Sequence, residues 1–87
     1  MFYVYLIQDK YGKIYIGYTS DLKKRLQRHA RGYTSYLKNR RPIKLIYYEA
    51  YLSKKDAIIR EKSLKNYGSV LSGLKKRIEN SLSIYLI

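Results

Sequence analysis

The sequence contains no cysteine and no tryptophan, a single proline, a single histidine and a single phenylalanine, and only six acidic residues among its 87. Without cysteine, disulfide staples and thiolate metal sites are excluded, and a reducing, cytoplasmic setting is the expected one. One histidine excludes any multi-histidine metal centre. No stretch approaches the roughly 18 consecutive apolar residues of a membrane span, so no membrane is expected as a partner. The opening residues, Met1 to Ile7, lack the basic start and small-residue cleavage site of a secretory signal. Internal repeats, linkers and low-complexity tracts are also missing. A chain of this size builds one thin core, hiding only about 60–65% of its unfolded surface.

What is present in excess is positive charge. Nineteen Lys and Arg give a formal charge of +13 at pH 7, while 46% apolar and 29% charged residues keep the balance of a globular domain. So much uncompensated charge opposes compaction and calls for a polyanionic partner, of which nucleic acid is the usual one. The cations are unevenly spread: Lys10 and Lys13 are the only two in residues 1–22, nine fall in 23–44, and eight lie between Lys54 and Arg77. Within these stretches Lys13, Lys24, Arg28, Arg31, Lys38, Arg40, Arg41 and Lys65 are the candidate nucleic-acid contacts. Twelve tyrosines accompany them. Tyrosines interleaved with cations suit nucleic acid, but they suit a β-sheet equally well.

Local patterns predict an α+β domain. Phe2 to Gln8 and Lys13 to Tyr18 read as strands around the turn cluster Asp9-Lys10-Tyr11-Gly12. A three-residue loop with Gly12 in the left-handed region pairs Asp9 with Lys13. Ile7 then faces Tyr15 and Tyr5 faces Gly17. Tyr3, Tyr5 and Tyr15 share one face of this hairpin, with Phe2, Val4, Leu6, Ile14 and Ile16 on the other.

Thr19-Ser20-Asp21 are capping residues ahead of a helix from Leu22 to about Ala30, with Gly32 past its end. The segment from Arg31 to Arg41 reads as a polar, basic loop closed by Pro42. Ile43 to Tyr51 reads as a third strand. Ser53 and Asp56 open a second helix, Lys54 to about Lys65, and Val70 to about Asn80 is a third. The expected fold is a small three-stranded, mainly antiparallel sheet with flanking helices in the order ββαβαα. It forms a single domain over residues 1–80, followed by an apolar tail, 81–87.

One residue stands out against its helix. Along the second helix, a step of about 100° per residue puts Glu61 inside the apolar arc, between Ala57 and Ile58. A carboxylate there calls for a partner. Either it pairs with Arg25 or a neighbouring lysine, or it is a hard-cation ligand, since one carboxylate with waters and a phosphate oxygen is a common Mg²⁺ pattern. Arg25 and His29, one turn apart, edge the first helix near the sheet face of Tyr5 and Tyr15. An arginine fork suits a phosphate or its transition state, and a tyrosine can pass a proton or position water. Glu49 could face either side of its strand. Asp9, Asp21 and Asp56 read as turn and cap residues.

These residues resemble the GIY-YIG nuclease domain, named from two short strand motifs. The first reads Tyr3-Val4-Tyr5 here, with Tyr3 in place of the opening glycine, and the second, Tyr15-Ile16-Gly17, matches in full. Asp21 to His29 looks like the family's helix with its catalytic arginine, and Ala57 to Lys62 like its metal-binding helix. The resemblance covers about residues 1–80 and is nearest to the small stand-alone bacterial group, similar to the N-terminal nuclease domain of the bacterial excinuclease.

It implies a divalent-metal-dependent endonuclease that hydrolyses DNA phosphodiester bonds in repair or processing. By that resemblance Glu61 would hold one Mg²⁺ or Mn²⁺, Tyr15 would be base or water-positioner helped by Tyr5, Arg25 would stabilise the pentacoordinate phosphate, and His29 would assist proton transfer. Asn66 and Asn80 are the candidates for a supporting asparagine. The alternatives are a non-catalytic DNA- or RNA-binding module on the same fold, or a nuclease component that needs a protein partner for specificity.

Overall fold

A computed structural model describes residues 1–85. Two strands, β1 (Phe2–Gln8) and β2 (Ile14–Thr19), are followed by α1 (Leu22–Ala30), a short 3-10 helix (Ser35–Arg40) and β3 (Lys44–Tyr51). The chain continues with α2 (Lys54–Asn66), α3 (Gly68–Arg77) and α4 (Glu79–Tyr85). The sheet is antiparallel throughout, in the order β2-β1-β3.

The hairpin has the expected register. Gly12 takes φ +87° and the Asp9 amide donates to the Lys13 carbonyl at 2.9 Å, so Ile7 faces Tyr15 and Tyr5 faces Gly17. β1 is the central strand and is covered on both faces, which explains why Val4 to Ile7 is a continuous apolar run. On one face Val4 and Leu6 pack with Ala57 and Leu64 of α2 and Leu74 of α3. On the other, Tyr5 and Ile7 pack with Leu37 beneath α1. Between Leu6 and Ile7 the pairing with β3 skips a residue, so Tyr47 opposes Leu6 and Leu45 opposes Ile7. This bulge re-aims the start of β3.

The caps follow the sequence. Asp21 accepts the Lys24 amide at 3.0 Å, Ser53 accepts the Asp56 amide, and Gly32, at φ +78°, ends α1 with its amide on the His29 carbonyl. Two segments differ from expectation. The basic stretch 31–41 is not a plain loop, because Ser35–Arg40 is a 3-10 helix whose Leu37 is fully buried. One apolar residue among polar neighbours carries no periodicity, so nothing local announces it. The third helix begins at Gly68 and ends at Arg77, and a further helix follows. The Tyr67 carbonyl receives the Val70 and Leu71 amides, which starts α3 early. The expected tail 81–87 is therefore helical as far as Tyr85, and positions 86–87 lie outside the described residues.

Candidate active site

The site assembles around one phenol. The Tyr5 side chain rises from β1 and lies across Gly17 of β2, where a Cβ would stand 2.3 Å from both Cζ and the hydroxyl of the ring. Only glycine leaves that path open, so the second motif's glycine is there for the first motif's tyrosine. The Tyr5 hydroxyl meets Nε2 of His29 at 2.9 Å, and Nδ1 of His29 meets Oγ1 of Thr34 at 2.7 Å. Both imidazole nitrogens are thus engaged and the ring is fixed at the buried edge of α1.

Burial raises the Tyr5 pKa above its usual value. Arg25 beside it, by charge and as a hydrogen-bond donor, pulls the value back, while Tyr36 and Glu61 add to the rise. The same phenol therefore feels residues from α1, the 3-10 helix and α2. Burial lowers the His29 pKa, and the charges of Arg25 and Arg28 lower it further. The imidazole is neutral at pH 7. An open recess of about 280 Å³ lies here, lined by Arg25, Arg28, His29, Thr34 and Tyr36.

Tyr15 sits differently. Its hydroxyl donates to Oδ2 of Asp9 at 3.0 Å, with Nζ of Lys13 5.2 Å and the Tyr36 ring 5.8 Å from its own ring centroid. Burial raises its pKa, and the Asp9 bond and charge raise it more. Tyr15 is therefore a neutral phenol that gives its proton to a carboxylate. Tyr36 is within electrostatic reach of both Tyr5 and Tyr15 and bridges the two halves of the site. Sequence reasoning missed Tyr36 and Thr34, since both belong to the segment read as loop. It took Asp9 for a turn residue alone.

Glu61 is part-buried on α2 and pairs with Nζ of Lys65 at 3.2 Å, four residues on. A lysine partner is thus the one it takes in this arrangement. No group of three or more His, Asp or Glu that could hold a metal exists among the described residues. One carboxylate alongside waters is a donor set that a hard cation accepts, and Glu61 offers such a carboxylate from α2.

The expected nucleic-acid contacts divide into two kinds. Lys24, Arg28, Arg31 and Lys38 are exposed on α1, its end and the 3-10 helix, and Lys24 and Arg28 border Arg25 in a second recess. Lys13 is exposed above Tyr15. Arg40, Arg41 and Lys65 are committed to partners within the molecule. Arg40 pairs with Asp9 at 3.1 Å, Arg41 donates to the carbonyls of Lys38 and Ala30, and Lys65 holds Glu61. Each keeps further N–H donors beside these bonds. Asn66 ends α2 and Asn80 stands in α4, both exposed.

A larger recess, about 470 Å³, opens beside α1 between Leu22, Leu26 and the edge-on pair Tyr3 and Tyr48. It holds none of the chemistry. Size alone would mislead here, because the smaller recess carries the arginines, the imidazole and a phenol. Tyr3, which replaces the motif's glycine, takes part in this aromatic pair and displaces no reacting group.

Comparison with known proteins identifies the family to which the chain belongs. The family model described as the GIY-YIG catalytic domain matches residues 1–70. A UPF0213 protein of Staphylococcus aureus is 39% identical over 66 residues, covering 75% of this chain and 80% of its own. A UPF0213 protein of Staphylococcus saprophyticus is 38% identical over 66 residues, with the same coverage. The solution NMR structure of a UPF0213 protein from Bacillus halodurans superposes with a TM-score of 0.54 at 34% identity, covering 86% of each chain.

Proposed function

The chain belongs to the GIY-YIG family of nuclease domains, and from that membership we propose that it is a divalent-metal-dependent endonuclease that hydrolyses DNA phosphodiester bonds in repair or processing. The observation that carries the reading is the convergence of α1, the 3-10 helix and α2 on the Tyr5 hydroxyl, with Arg25 beside it, His29 bonded to it and Glu61 in reach.

In hydrolysis a water oxygen bonds to phosphorus, the bond to the leaving sugar oxygen breaks, the water proton goes to an acceptor, and the leaving oxygen takes a proton from solvent. Arg25 meets the charge that gathers on the five-coordinate phosphate, as a guanidinium fork suits. Tyr15, whose own proton goes to Asp9, offers its oxygen as an acceptor that orients the water. Tyr5 and the neutral imidazole of His29 form a short path along which the proton moves away from the phosphate. Glu61 is the residue that would hold one Mg²⁺ or Mn²⁺, whose chemistry when bound is to polarise a phosphate oxygen. Lys13, Lys24, Arg28, Arg31 and Lys38 would grip flanking phosphates.

The test is cleavage of labelled duplex, flap and branched DNA with Mg²⁺, Mn²⁺ or EDTA, beside Glu61→Gln. Metal-dependent cleavage by the wild type, lower by about 100-fold or more in the variant, is expected. Binding without cleavage under every condition would sink the enzyme. The Lys65–Glu61 pair favours that second reading, a DNA- or RNA-binding module on the same fold, because it occupies the carboxylate. In either case affinity should fall with salt, by a slope of about 0.9 per phosphate contact on duplex DNA.

A further inference from the structure

Asp9 is completely buried, yet the family reading gives it no part. Its Oδ1 accepts the amides of Tyr11 at 2.8 Å and Lys13 at 2.9 Å, which is the work of a turn residue. Its Oδ2 does something the turn does not require, accepting the Tyr15 hydroxyl at 3.0 Å and Nη1 of Arg40 at 3.1 Å. A carboxylate has about four acceptor sites, and all of them are filled. Arg40 comes from the 3-10 helix, 31 residues away, and a backbone bond from the Lys10 amide to the Arg40 carbonyl fastens that helix to the turn. The carboxylate is held from three sides and cannot turn away from Tyr15.

We propose that Asp9 is a positioning residue for catalysis: by accepting the Tyr15 hydrogen bond it fixes the direction of that hydroxyl, so that the Tyr15 oxygen presents only acceptor lone pairs to the attacking water. The inference rests on the nuclease reading and on Tyr15 as the water's partner. A phenol has one proton and can point it one way at a time. With the Tyr15 proton pointed at Asp9, a water next to Tyr15 must donate to its oxygen, which turns the water's own lone pair toward phosphorus. With the proton pointing outward, Tyr15 would donate to the water instead and spoil its aim. The carboxylate behind a catalytic histidine in serine hydrolases acts by the same logic of fixing one proton's place.

Asp9→Asn tests this sharply, because Oδ1 can keep both turn amides while Nδ2 replaces the acceptor facing Tyr15. The amide then donates to the Tyr15 oxygen and drives the phenolic proton outward. Asp9→Asn/Arg40→Gln is the companion variant, in which the glutamine carbonyl can accept from Nδ2 and no guanidinium faces it. Folding is checked by thermal denaturation, and DNA affinity in EDTA is measured beside kcat so that a change in binding is not read as a change in turnover.

Expected in steady state is a fall in kcat of about 100-fold or more with little change in KM, matching Tyr15→Phe. No further loss is expected when Asp9→Asn and Tyr15→Phe are combined. Tyrosine labelled at ¹³Cζ, titrated without DNA, should show Tyr15 losing its proton at lower pH in the variant. The charged and titrating groups around Tyr15 are Asp9, Lys13, Tyr36 and Arg40, and only Asp9 loses its negative charge in the single variant.

Wild-type kcat in Asp9→Asn, alongside a loss in Tyr15→Phe, would overturn the positioning role alone. So would a Tyr15 titration identical in both proteins. Failure of the wild type to cleave with any metal would overturn the nuclease reading, and this inference with it.

Discussion

Two clusters built from the same parts, a carboxylate, tyrosines and an arginine, lie on opposite faces of the sheet. On the α1 face, Asp9 gathers Tyr15, Arg40 and two backbone amides. On the α2 face, Glu49 accepts the hydroxyls of Tyr47 and Tyr51 and is gripped by Arg60 through Nε at 2.9 Å and Nη2 at 3.0 Å. Burial pushes both carboxyl pKa values up, but hydrogen bonds to the ionised form outweigh it and hold both below the usual range. The difference lies in what each tyrosine faces. Tyr15 adjoins Tyr36 and the recess of Arg25 and His29, whereas Tyr47 and Tyr51 pack against the α2–α3 core. One set of interactions thus clamps a strand to a helix, and its counterpart aims a hydroxyl. Chemistry inside a cluster does not announce its role; its surroundings do.

The largest effect expected from this contrast is on stability. Glu49→Ala leaves Arg60 and two part-buried hydroxyls without their acceptor and should cost about 3 kcal/mol in urea unfolding. Cleavage per folded molecule should be unchanged. A folded Glu49→Ala protein without activity would break the comparison, placing both clusters in the site.

A matched pair of smaller changes sharpens it. Tyr15→Phe and Tyr51→Phe each remove one hydroxyl bonded to a carboxylate and should each cost about 1–2 kcal/mol. Only Tyr15→Phe should slow cleavage. Equal kinetic effects, or none in either, would dissolve the distinction.

The pH dependence separates the clusters further. Asp9 and Glu49 have folded values below their unfolded ones, so the stability they contribute is present above about pH 4 and is lost as pH falls through the folded values. His29, also lowered, adds a loss that begins as pH drops below about 6.5. At the alkaline end Tyr51, pushed up to about 12 by burial and by Glu49, contributes stability present below about pH 10 and lost as pH rises toward about 12. Glu49→Gln should flatten both the acid limb below about pH 4 and the alkaline limb. Denaturation midpoints across pH would show it, and an unaltered alkaline limb would contradict the assignment to Tyr51.

The smallest effect belongs to the exposed rim. Arg41 is exposed and bonds to the Lys38 and Ala30 carbonyls, so Arg41→Ala should shift stability by less than about 0.5 kcal/mol. A larger loss would mean that these carbonyl bonds anchor the 3-10 helix.

Much of this was legible in local pattern. Turn chemistry set the hairpin register, because Gly12 in the left-handed region closes a three-residue loop that pairs Asp9 with Lys13. Asp21 and Ser53 marked helix starts because a capping side chain acts on amides three residues away. Glu61 drew notice because its position broke the apolar arc of its own helix. The loop 31–41 gave no such signal, and with it Thr34, Tyr36 and the burial of Leu37 were missed. The charge of Arg40 is visible in sequence, but its partner Asp9, 31 residues away, is not.

By itself, then, the sequence determined the strands, the hairpin register, the starts of α1 and α2, the positive charge and the residues Tyr5, Tyr15, Arg25, His29 and Glu61 as those to weigh together. Each of these follows from periodicity, capping, composition or short motifs over a few neighbouring positions. Only the tertiary structure decided which hydroxyl meets which acceptor. It joined Tyr5 to His29, Tyr15 and Arg40 to Asp9, and Glu49 to Arg60, through contacts between groups as many as 31 residues apart. Local propensity cannot encode such pairings. They arise when two helices are pressed onto opposite faces of a three-stranded sheet, and buried polar atoms must then find partners among whatever the packing brings within reach.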